Sequence, residues 1–178
     1  MMTLPRLLFL ILLFSFNIIV DQISKWIAMT HLDYSVIHSY WYDTIRIVYV
    51  ENTGVAFSLG SDWSPEVRFL VFNLVVLAVL LGLLFYLIKT HKEQSFVKLI
   101  AFTLILAGGF GNLIDRFFRE GAVVDFLNVG IGFVRTAIFN HADMCITTGL
   151  IILIIISIRE SFRKPEVVLE EAKEEANG

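Results

Sequence analysis

The sequence predicts an all-α membrane protein of four transmembrane helices, with a small β-hairpin or sheet at the extracytoplasmic membrane surface. Three observations predict it. Of 178 residues, 57% are hydrophobic and only 17% charged, with sixteen phenylalanines, and the mean hydropathy is +0.75, which is a membrane composition rather than a soluble one. Four apolar runs each approach the ~20 residues that cross a bilayer. One connection between them alternates apolar and polar residues on both sides of a turn, the pattern of paired strands.

The first run, about 7–28, opens LLFLILLFSFNIIV and continues past Asp21 and Lys25. A cleavable signal peptide would start in the same way, but no small-x-small site follows, and an aspartate and a lysine stand where that site belongs. A retained spanning helix is expected. The other spans are expected at about 67–88, 96–114 and 138–158, so residues 1–178 form a single integral domain with an acidic tail at 165–178. Lys89, Lys92 and Lys98 crowd the connection between spans two and three, and Arg159, Arg163 and Lys164 follow span four. Basic residues stay inside. Both termini and the tail are therefore expected to be cytoplasmic, and the connections 29–66 and 115–137 to face outward.

Within the first outward connection, TIRIVYV leads into Glu51-Asn52-Thr53-Gly54 and then VAFSL, which reads as a hairpin lying on the membrane face. Trp26, Tyr40, Trp41, Tyr42 and Trp63 suit an interfacial aromatic belt. The second outward connection, with Gly121, Gly130 and Gly132 among apolar residues, is expected to be extended or looping backbone at the interface.

Several chemistries find no support. A net charge of -3 argues against a nucleic-acid partner. The single Cys145 cannot form a disulfide within the chain and reads as a small buried residue. There is no Gly-x-Ser-x-Gly turn, HExxH, cysteine pair or phosphate-binding glycine loop. Four scattered histidines make no ligand set, which leaves carboxylates alone as candidate metal ligands, and neither metal nor cofactor is expected.

What remains is a set of polar groups in an apolar setting, where ionisable residues are costly and hence functional suspects. On the first span, Asp21 and Lys25 are an i,i+4 pair in the favourable order, either an interfacial anchor or a brace within the bundle. On the third, Gly108, Asn112, Asp115 and Arg116 share a face. The glycines there permit close helix packing, and Asp115 with Arg116 reads as an ion pair at the helix end supporting a site. Asp125 is set in AVVDFL, and Asp143 is expected about a turn and a half inside the fourth span with Asn140 three residues before it. Desolvation and mutual proximity raise carboxyl pKa values, so such a pair can share one proton and act as base and acid. His141 reads as a loop or interface histidine. A proton relay through Asp21, Lys25, Asp115 and Asp143 would be the transporter alternative, but spans two and four carry almost no polar groups in their inner halves. A non-catalytic scaffold would leave Asp125 and Asp143 without a task.

Five ordered blocks, DQISKW, NTGVAFS, GGFGNLIDR, VVDF and FNHADM, make the chain resemble bacterial lipoprotein signal peptidase, or signal peptidase II, over nearly its whole length. The resemblance implies an aspartyl endopeptidase of the plasma (inner) membrane that removes signal peptides from diacylglyceryl-modified prolipoproteins, cutting before the lipidated cysteine. It assigns Asp125 and Asp143 as the catalytic pair, and Asp21, Lys25, Asn52, Gly54, Asn112, Asp115, Arg116 and Asn140 as residues that line or brace the site. It further implies membrane lipids as surroundings, globomycin-type cyclic peptides as inhibitors, a monomer, no metal and no cofactor. Val55 stands where the family often has alanine in NTGAAF, and His141 and Met144 where FNVADS has valine and serine. Either the segment around 52–57 or the loop around Asp125 is expected to move to admit substrate.

Overall fold

The computed structural model describes residues 3–53 and 63–176, with positions 65, 68, 72 and 163–176 in backbone only. The elements in chain order are α1 (Leu4–His31), β1 (His38–Tyr40), β2 (Ile45–Asn52), α2 (Pro65–Thr90), α3 (Phe96–Phe118), β3 (Val123–Ile131), β4 (Val134–Arg135) and α4 (His141–Ala176). Among the described residues, four stretches are long and apolar enough to cross a membrane: Leu4–His31, Phe69–Thr90, Phe96–Phe118 and His141–Phe162.

Helix α3 is the centre of the bundle, since 56% of its apolar window is buried against 11% to 18% in the others. The exposed apolar side chains of α1, α2 and α4 form the surface that lipid would cover. On one side of α3, Leu106 and Leu113 pack with Leu80 of α2, and Phe110 meets Phe14 of α1 edge to face at 5.9 Å. On the other side, glycines let α1 and α4 approach closely. A Cβ on Gly108 would collide with the Ala142 carbonyl, and one on Gly111 would stand 2.6 Å from Oδ2 of Asp21. Lipid offers no hydrophobic drive for helix association, so such close approach supplies the packing. Gly108→Ala is expected to cost ~1–3 kcal/mol through overpacking, seen as a lower thermal unfolding midpoint in detergent. Gly82→Ala, with nothing within 4 Å of the new methyl, should show no such loss.

The four strands form one antiparallel sheet in the order β1-β2-β3-β4. The alternating segment does become a strand. β2 pairs with β1 on one edge and with β3 of the second connection on the other, while the VAFSL run lies outside the described residues. The register sets Val50 opposite Asp125 and Asn52 opposite Val123. The second connection, expected as extended or looping backbone, takes the extended form as regular strand over Val123–Ile131. Between α3 and β3 the chain reverses through Glu120 (φ 51) and Gly121 (φ 90), so Asp125 returns over the end of α3. Phe139 exchanges backbone bonds with Leu127 at 2.8 and 2.9 Å, which holds the chain extended until α4 begins at His141.

Candidate active site

Helix α4 starts with a reciprocal cap. Oδ1 of Asn140 accepts the Asp143 backbone N–H at 3.0 Å, and Oδ2 of Asp143 accepts the Asn140 backbone N–H at 3.1 Å. This is a capping box in amide and carboxylate form. Asp143 therefore sits in the first turn of α4 rather than a turn and a half inside it, where the positive end of the helix dipole favours a carboxylate.

The remaining atoms of Asn140 bind the site together. Its Nδ2 donates to Oδ1 of Asp125 at 2.7 Å and to the Val124 carbonyl at 3.2 Å, and lies 3.1 Å from Oδ1 of Asn112. Nδ2 of Asn112 donates to Oδ1 of Asp143 at 2.8 Å. Asn52, diagonal to Asp125 across the β2–β3 ladder, donates to its Oδ2 at 2.9 Å. Each oxygen of both carboxylates is thus held by a named donor. Gly54 lies outside the described residues.

Beneath this pair is a buried charge cluster. Nζ of Lys25 is 2.8 Å from Asp21, 2.9 Å from Asp115 and 3.0 Å from Oδ1 of Asn112, and all three charged residues are almost wholly buried. The carboxylates also reach outward: Asp21 accepts the Ala142 N–H at 2.9 Å and Asp115 the Val124 N–H at 3.2 Å. One cluster so fixes α1, α3, the start of α4 and the start of β3. Asp115 pairs with Lys25 and, at 3.4 Å, with Arg119, not with its neighbour Arg116. Arg116 is half-buried at the same end of α3 as these carboxylates.

Two contributors escaped the sequence reading. Gln22 donates to Asp21 at 3.1 Å, to the Gly111 carbonyl at 3.2 Å and to Asp115 at 3.2 Å; nothing in its spacing marks it. Arg119 could have been found, because it stands at i+4 from Asp115. His141 is an interface histidine, 3.0 Å from Asn17 of α1.

Asp125 is 3% exposed. Burial, reinforced by the charge of Asp143, pushes its carboxyl up to about 6, against the opposing hydrogen bonds from Asn52 and Asn140 and the charge of Lys25. Asp143 is partly open and lines a cavity of about 450 Å³ whose other walls include Phe139, Met144 and Thr147. One buried carboxylic acid and one accessible carboxylate, joined through a single asparagine, can activate water and protonate a carbonyl. Among the described residues, no three His, Cys, Asp or Glu side chains group to hold a metal.

A model of the family described as signal peptidase (SPase) II matches residues 13–159. The chain belongs to the signal peptidase II family. It is accordingly a protease with membrane-spanning helices. It is 38% identical over 155 residues to a lipoprotein signal peptidase of Borrelia duttonii (strain Ly), covering 84% of this chain and 89% of that one. The corresponding protein of Streptococcus pneumoniae (strain ATCC BAA-255 / R6) is 37% identical over 140 residues, covering 79% and 86%. A solved bacterial membrane enzyme superposes with a TM-score of 0.73 at 29% identity, covering 87% of this chain and 90% of its own. A second gives 0.71 at 30% identity, covering 83% and 90%.

Proposed function

We propose that this protease cleaves diacylglyceryl-modified prolipoproteins just before the lipidated cysteine, using Asp125 and Asp143 to activate a water molecule. The observation that carries the reading is the joining of the two carboxylates through Asn140, at 2.7 Å to Asp125 and 3.1 Å to Asp143. Asp143, the more accessible, takes a proton from the water as it attacks the scissile carbonyl. Asp125, buried and protonated, gives its proton to the carbonyl oxygen. The tetrahedral intermediate collapses as the leaving amine takes the proton from Asp143 and a hydroxyl of the intermediate returns its proton to Asp125, with no covalent acyl-enzyme. Both catalytic groups come from the chain itself, so the step calls for no metal or cofactor.

Asn112, Asn140 and Asn52 orient the pair; Asp21, Lys25 and Asp115 anchor the elements that carry it; Arg116 offsets the negative charge that develops. The cavity beside Asp143, walled largely by apolar atoms, offers a place for the substrate's apolar segment or acyl chains at membrane depth. The buried carboxylates Asp21, Asp115 and Asp125 share one network with Asp143, which fits a single reaction centre better than a relay through the bilayer.

The network lies where α1 and α3 end and α4 begins. The lysine-rich connection lies at the other end, where Lys98 pairs with Glu160 at 2.8 Å. Basic residues remain inside, so the reading places the site on the extracytoplasmic face of the bacterial plasma membrane and both termini in the cytoplasm, the chain acting as a monomer. Globomycin-type cyclic peptides would compete for the pair. The test is purified protein in detergent with a diacylated prolipoprotein and its unmodified counterpart, the products weighed by mass spectrometry. Cleavage of the lipidated form alone, leaving the modified cysteine as the new N-terminus, is expected. Equal cleavage of both, or a cut elsewhere, would refute the substrate assignment.

The raised carboxyl of Asp125 gives the pH profile a sign. Below about 6 Asp125 keeps the proton that the carbonyl oxygen takes; above, the acid is lost. The alkaline limb of kcat/KM reports this group in the free enzyme. Asn52→Ala removes a hydrogen bond that lowers the Asp125 pKa, so the alkaline limb should move to higher pH. A limb that stays in place, or moves to lower pH, would count against Asp125 as the acid.

A further inference from the structure

Outside the carboxylate network, three donor atoms of different chemistry meet where α1 packs against the first two turns of α4. Nε2 of His141 lies 3.0 Å from Oδ1 of Asn17, Sγ of Cys145 lies 3.2 Å from the same oxygen, and Sγ and Nε2 are 3.5 Å apart. Asn17 and Cys145 are buried and His141 partly so. The amide of Asn17 is oriented by the bond its Nδ2 donates to the Leu13 carbonyl at 2.8 Å, which turns the oxygen towards sulfur and imidazole. The proposed hydrolysis uses none of these three side chains.

The triangle has the dimensions of one face of a tetrahedral metal site. Zinc holds imidazole nitrogen at ~2.0 Å and thiolate sulfur at ~2.3 Å, which sets those two atoms about 3.5 Å apart and each about 3.3–3.5 Å from an oxygen ligand. The observed edges of 3.5, 3.0 and 3.2 Å require shifts of only a few tenths of an ångström. His141 and Cys145 project from the same face of α4 at i,i+4 spacing.

We propose that Asn17, His141 and Cys145 form a binding site for a thiophilic divalent cation of the zinc class, with water at the fourth position. Binding releases the Cys145 thiol proton to solvent, and the His141 ring keeps its proton on Nδ1 so that Nε2 is a ligand. No electron is transferred. The bound ion ties α1 to α4 two residues from Asp143. The inference rests on this geometry and stands apart from the proposed cleavage reaction.

Cadmium is the probe. Titrated into tag-free protein in detergent, it should produce an ultraviolet cadmium–thiolate band that saturates at one ion per chain, and it should raise the thermal unfolding midpoint. Cys145→Ser should abolish both while retaining metal-free cleavage activity. His141→Ala, which keeps the thiol, should weaken binding at least tenfold. The metal-free unfolding midpoint of each variant shows that it has folded. No saturable band in the wild type would leave only a hydrogen-bonded helix contact, and equally tight binding by His141→Ala would leave only a thiol. Either result overturns the site.

Discussion

Asp143→Asn and Asp125→Asn are each expected to lower kcat by ~10⁴-fold or more, the scale on which losing one member of a catalytic unit falls. Asparagine matches the carboxylate in size but offers neither a base nor a titratable acid. It also reverses one hydrogen bond. Asp143 accepts Asn112 Nδ2 on one oxygen and the Asn140 N–H on the other, so an amide there must set its NH₂ against a donor. Asp125 is in the same position between Asn140 and Asn52. A buried donor left unsatisfied costs ~1–3 kcal/mol, so each variant should also melt earlier. The activity loss, of ~5 kcal/mol or more, exceeds that stability loss, and comparing rate with thermal midpoint separates the two.

Lys25→Met is expected to be the most destabilising single change. The ammonium is wholly buried, and its two carboxylate partners at 2.8 and 2.9 Å are buried with it. Removing the cation leaves two negative groups facing one another without a counter-charge, and breaking a buried pair in this way costs ~3–5 kcal/mol. The damage should spread to catalysis, because Asp21 and Asp115 position the backbone at Ala142 and Val124. Adding Asp21→Leu and Asp115→Leu to Lys25→Met should recover part of the unfolding midpoint, since it removes the stranded charges. Recovery stays partial because those two N–H groups then lose their acceptors. Full retention of stability by Lys25→Met alone would mean that the cluster contributes little.

The helical plan was legible because its signal is repeated in every turn: four apolar runs, their basic flanks and the i,i+4 pair Asp21–Lys25. The sheet was half legible. Period-two alternation identified TIRIVYV as strand, and β2 runs on through Glu51 and Asn52, where a turn was expected; strand pairing is a non-local choice, and nothing in residues 44–59 announces a partner some 75 positions away in Val123–Ile131. Among site residues, those joined by local spacing could be read and those joined through space could not. Asn140-x-x-Asp143 is a capping box in the sequence itself, and it fixes the start of α4 more closely than hydropathy did, because hydropathy cannot distinguish an apolar strand end from a helix. Gln22 reaches Asp115 across 93 positions, a contact created by the packing of α1 on α3. The pairing of Asp115 with Lys25 and Arg119 rather than Arg116 has the same origin, as adjacent residues on a helix point apart.

Single-turnover cleavage of a diacylated prolipoprotein by Asp125→Asn, Asp143→Asn and the double variant, each shown to be folded by its unfolding midpoint, tests the shared role of the two carboxylates most directly. Residues that act as one unit lose activity non-additively, so the double variant should be about as slow as either single one, and both singles ~10⁴-fold below the wild type. Near-normal cleavage by either single variant, or a double variant slower by the product of the two losses, would contradict a paired mechanism.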